Sequence, residues 1–120
     1  MLKRIVLKHL AETRDVNRAF RQASDEIYAS VQERVVAGDS LEHTLASIGI
    51  EHPAEVMKQI GELGGWHSGN FCVIITGGSL FDIPLPACIE EQLRNFPKPT
   101  KKQIQEAYEA CRKKSPVIRQ

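Results

Sequence analysis

Aromatic side chains are scarce in this chain, at 6% of residues with a single tryptophan. That scarcity argues against a stacking platform for single-stranded nucleic acid. No apolar run approaches the ~20 residues that span a bilayer, so no membrane partner is expected. The opening Met1–Lys8 briefly has the look of a signal peptide. Lys8 and His9 interrupt it and Glu12 and Asp15 follow, so it reads as part of the mature fold. The three cysteines, Cys72, Cys88 and Cys111, show no CxxC spacing and fall in apolar stripes. They are expected as buried thiols in a reducing compartment, which places the protein in the cytoplasm.

Catalytic and cofactor signatures are missing too. There is no GxSxG, GxGxxG or GxxxxGK[ST] motif, and His9, His43, His52 and His67 form no HxxxH pair. His67-Ser68 adjoin in a glycine-flanked loop, but chain neighbours are poorly placed as a nucleophile and its base, and no third residue is marked to orient them. Glu90-Glu91 reads as a solvated helix face. The expectation is a non-enzymatic protein with no cofactor and no metal.

What is present is ordinary globular composition, 42% apolar and 26% charged, over 120 residues. That suits a single domain, 1–120, with one core. The net charge of +1 conceals a segregation. Residues 1–22 carry six basic and two acidic groups, 23–93 carry two and eleven, and 94–120 carry eight and two. Basic ends around an acidic middle form a nucleic-acid footprint if they share a face; otherwise they neutralise the middle.

Apolar periodicity is mostly helical. Val16, Phe20, Ala23, Ile27, Val31 and Val35 recur every three or four residues, predicting one helix from about Thr13 to Val36, stopped by Gly38. Leu2–Leu10 either extends it backward or forms a short strand. Asp39, with Glu42 three residues on, is expected to cap a short helix through Ile48. Pro53 opens a third, with Val56, Met57, Ile60 and Leu63 on its apolar face and Gly64-Gly65 closing it. Pro86 opens a fourth through Phe96, ahead of the Pro97-Lys98-Pro99 turn. Thr100 and Gln103 form a capping box for the last helix, with Ile104, Ala107, Tyr108 and Cys111 inward.

One segment departs from this pattern. Phe71-Cys72-Val73-Ile74-Ile75-Thr76 is apolar or β-branched throughout, and glycines flank it on both sides. It is read as a short central β-strand, residues 71–76, in a mostly α fold of about five helices. A strand must pair, and the internal candidates Arg4–Leu7 and Val117–Ile118 are short, so pairing across a homodimer is favoured.

These features predict a small regulatory or adaptor protein that binds another macromolecule, in first place a protein. The contacts are expected from Trp66, Phe71, Ile74, Phe81 and Ile83, spanning the tryptophan loop, the strand and the apolar segment 80–85. The alternative is a DNA-binding transcriptional regulator. Its helix pair 86–114 has helix-turn-helix dimensions, with Lys101, Lys102, Gln105 and Lys113 offered to DNA. In layout alone, residues 53–114 resemble the Mor family of phage transcription activators. That resemblance implies a strand paired across a dimer ahead of a helix-turn-helix. The chain is one helix short of that layout and carries no motif specific to the family.

Overall fold

A computed structural model describes residues 1–77 and 83–114, the last two by their backbone alone. The described residues form seven helices and no strand. They are α1 (Leu2–Thr13), α2 (Val16–Val36), α3 (Leu41–Ser47), α4 (Pro53–Glu62), α5 (Ser68–Thr76), α6 (Pro86–Leu93) and α7 (Lys101–Lys114). Residues 80–82, Phe81 among them, the Lys113 side chain and Val117–Ile118 lie outside the description.

Helix α2 is the central element, and α1, α3, α5 and α6 all pack on it. Its stripe of Ala19, Phe20, Ala23, Ile27 and Val31 is fully buried, and the two alanines let neighbouring helices approach closely. The long helix expected from about Thr13 to Val36 forms as α2, and the segment before it is a separate helix, α1, rather than a backward extension. Arg14 adopts the left-handed conformation at φ 58° as the C-cap of α1. Asp15 then restarts the chain, its carboxylate accepting the Arg18 backbone N–H at 3.2 Å. The reversal folds Leu2, Ile5, Val6 and Leu10 back onto the core, so the Leu2–Leu10 segment is helical.

The 71–76 strand is overturned: these residues belong to α5. A helix satisfies its backbone N–H and C=O groups internally, so the demand for a pairing strand disappears, and with it the argument for a strand-paired dimer. β-branched and aromatic residues each lose up to ~0.7 kcal/mol in a helix, about 3 kcal/mol over Phe71, Val73, Ile74, Ile75 and Thr76. Burying a large apolar side chain returns ~1.5–3 kcal/mol. Phe71, Ile74 and Ile75 are all at most 1% exposed, so packing wins. Thr76 Oγ1 also donates to the Cys72 carbonyl at 2.8 Å, a bond available to threonine in a helix.

Smaller corrections follow the same logic. Ser40, not Asp39, caps α3, accepting the His43 N–H at 3.1 Å. Helix α6 ends at Leu93, leaving Phe96 41% exposed. The Thr100–Gln103 capping box forms in both directions, at 2.9 and 3.1 Å. All four expected inward residues of α7 are buried.

The expectation of three free thiols also fails. Cys88 of α6 and Cys111 of α7 form a disulfide across a Cα–Cα distance of 5.8 Å, and Cys72 alone is free. Disulfides belong to oxidising compartments, so the cysteines no longer support a cytoplasmic assignment. Among the described residues, no helix is long and apolar enough to cross a membrane.

The bridge closes a loop over a sequence separation of 23 residues. Loop-closure entropy for that length is worth about 3 kcal/mol. Cys88→Ser with Cys111→Ser should therefore lower the free energy of unfolding by roughly that amount in urea titrations followed by Trp66 fluorescence. An unchanged midpoint would show that the bridge does not restrain the unfolded chain.

Candidate functional site

The turn between α4 and α5 is built on glycine. Gly64 and Gly65 both have positive φ, 113° and 120°, a region that side chains resist. They turn Trp66 inward over α2, where its ring stacks on Tyr28 at 4.8 Å and meets Phe71 edge-on at 5.3 Å. Its Nε1–H donates to Gln32 Oε1 at 2.7 Å. Asn70 Nδ2 donates to the Gly65 carbonyl at 2.6 Å and ties the loop to α5. His67 is the N-cap of α5, its Nδ1 accepting the Gly69 N–H at 3.2 Å.

The expected protein-binding residues therefore divide. Trp66 is half-buried, while Phe71, Ile74 and Ile83 are buried in the core, at most 1% exposed. Phe81 is outside the described residues. A helix turns successive side chains through about 100°, so what a strand would have presented on one face is shared between core and solvent. The outward positions are Val73, 53% exposed, and the half-buried Cys72 and Thr76. Val73 borders a shallow groove of about 420 Å³ between α4 and α5. Leu63, 44% exposed, lies on the same groove, with Glu55, Lys58 and Glu62 on its rim. Val73 was missed because the continuous apolar run hid the i, i+3, i+4 pattern of Phe71, Ile74 and Ile75. Leu63 was expected on the inner face of its helix, but α4 ends at Glu62 and leaves it outward.

The basic ends of the chain are partly neutralised within it. Lys3 of α1 bonds Glu109 of α7, which also has Arg112 at 3.7 Å. Lys8 donates to both Glu26 carboxylate oxygens, at 2.9 and 3.0 Å, and His9 Nε2 lies 2.8 Å from Glu26 Oε1. The Lys8 hydrogen bond, then that to His9, holds the Glu26 carboxyl below its ordinary range, against the opposing effect of burial. By contrast, Lys101, Lys102 and Gln105 on the first turns of α7 are exposed, with no side-chain partner among the described residues.

Two further grooves flank α1. One, of about 360 Å³, lies between α1 and α7 and is lined by Leu7, Ala11 and Ile104 with Lys8, Glu12, Lys101 and Gln105. The other, of about 370 Å³, lies where the α1–α2 turn meets the α6–α7 turn, and Arg14 and Arg94 both line it. Among the described residues, no three histidine, cysteine, aspartate or glutamate side chains gather as a metal site. No protein-family model, curated protein or solved structure matches the chain, and the segment compared above with the Mor family carries a helix where that layout has its strand.

Glu26 gives a pH signature. Its folded pKa is lowered, so its contribution to stability is present above the ordinary carboxylate range and is lost as the pH falls through that range and below. Glu26→Gln should flatten the acid limb of the melting-temperature profile and leave it unchanged in shape near neutrality. An acid limb of the same steepness in the variant would show that other carboxylates carry it.

Proposed function

We propose that the protein is a small, non-enzymatic regulatory or adaptor domain that works by binding another protein. The observation that carries this reading is the outward side of α5. Every residue from Phe71 to Ile75 is apolar, so burying three of them still leaves Val73 in solvent beside Leu63. An exposed apolar helix face next to a groove suits an interface core with a polar rim. The surroundings specify the partner's chemistry. Residues 39–77 carry five acidic groups and one basic group, with Glu55 and Glu62 at the groove itself. A partner segment with apolar anchors and basic flanks complements that surface.

Trp66 enters this reading as the support of α5. Its ring is committed to Tyr28 and Phe71, so its removal reports on packing before binding. The informative substitutions are outward ones. Val73→Asp with Leu63→Asp should abolish capture of a specific partner while far-UV circular dichroism and Trp66 fluorescence stay those of the wild type. A partner retained equally by wild type and variant would eliminate this face. Sedimentation of the same pair shows whether that partner is a second copy of the chain.

A second reading, a DNA-binding transcriptional regulator, is favoured by one observation: the unpaired, exposed Lys101, Lys102 and Gln105 at the start of α7. Glu109, which would repel phosphate, is engaged by Lys3 and Arg112, while Glu106 is exposed on the same helix and opposes phosphate. On this reading duplex binding weakens steeply with salt and is lost in Lys101→Gln with Lys102→Gln.

A further inference from the structure

Two chain segments about eighty residues apart contribute unpaired cations to one end of the molecule. From the α1–α2 turn and the first turn of α2 come Arg14 and Arg18; from the α6–α7 turn and the first turn of α7 come Arg94, Lys98, Lys101 and Lys102. All six are exposed, and none has an ion-pair partner among the described residues. The segments are neighbours in space, since Arg14 and Arg94 line one groove and Lys101 lines the groove beside it along α1. The acidic groups lining those grooves are Glu12, Asp15 and Glu90, and exposed Glu91 and Glu106 lie one helical turn from Arg94 and Lys102. Asp15 is already committed to the N-terminus of α2, where it accepts the Arg18 N–H. The most acidic stretch packs elsewhere: α3 and α5 pack on α2 with α4 against both of them, while α6 packs on α2 and α7 on α1 and α6.

We infer that this composite basic end, and not the α6–α7 helix pair alone, is a docking surface for the phosphate backbone of duplex DNA. The inference rests on the second reading above for the class of partner but assigns a different surface. Composition favours a phosphate backbone over an acidic protein. A protein interface needs an apolar core, and the exposed large apolar side chain in this region is Phe96 alone. Phosphate binding needs only dispersed lysine and arginine with freedom to reach. A duplex is favoured over a single strand because Phe96 by itself is no stacking platform. Arg14 and Arg94 lie at the C-caps of α1 and α6, and both are exposed.

The test uses the full chain and a fluorescein-labelled 20-base-pair duplex, with anisotropy titrations between 50 and 200 mM salt. Each phosphate neutralised contributes about −0.9 to the slope of log affinity against log salt, so six contacts give a slope of about −5. Arg14→Gly with Arg18→Gln and Arg94→Gln should bring that slope to about −3 by the same relation and weaken binding at least tenfold. Glycine is chosen at position 14 because it accepts the left-handed backbone, so the fold is retained. Arg18→Gln with Arg94→Gln is the backup pair, reducing the slope by about two units. If the arginine variants bind as the wild type does while Lys101→Gln with Lys102→Gln does not, the α7 reading stands and the composite surface falls. If the wild type shows no duplex binding at 50 mM salt, both fall. Displacement by polyglutamate at the charge concentration at which unlabelled duplex displaces would overturn DNA in favour of an acidic protein.

Discussion

Helix α2 carries a buried stripe too wide for one neighbour to cover. Phe20, Ala23, Ile27 and Val31 are all 0% exposed, and α1, α3, α5 and α6 share the work of covering them. That sharing is possible only because the chain reverses at Arg14–Asp15. Continuous helix from Leu2 onward would have carried Ile5, Val6 and Leu10 away from the core instead of onto it. One backbone residue in the left-handed region and one aspartate on a free N–H therefore decide the topology. The reversal also places the α1 side chains where α7 can reach them, and the Lys3–Glu109 contact between the two follows from it.

Elements whose signal was local were legible in the sequence. The Thr100–Gln103 box, Pro53 and Pro86 at helix starts, and the inward face of α7 all depend on residues within a turn or two of one another. The α5 segment was not legible, because apolar side chains at five successive positions erase the difference between a period of two and one of 3.6. Its conformation is decided by what it packs against: Tyr28, Trp66 and the buried face of α2. The disulfide was hidden for a similar reason. Cys88 and Cys111 are unremarkable in sequence and become partners only once the proline-rich turn folds α6 against α7.

The candidate surfaces show the same division. A surface that needs one helix face can be guessed, and Lys101, Lys102 and Gln105 are exposed as the sequence implied. A surface assembled from distant turns cannot. Whether both basic ends share a face was posed by the charge pattern, but that Arg14 and Arg94 line one groove emerges only from the packing of α6 on α2. Burial, in turn, removes Phe71, Ile74 and Ile83 from the free surface while leaving Val73 and Leu63 on it.

The Cys88–Cys111 bridge has a consequence for cooperativity. Helix α7 is held to α1 by side-chain contacts, and α6 is held to α2, but the covalent link makes the two helices one body. A helix held by few contacts opens locally and on its own. Here the bridge ties any displacement of α7 at Cys111 to Cys88 of α6, which packs on α2. Opening of α7 is thereby coupled to movement of α6, so the two helices respond to local fluctuation as a bridged pair.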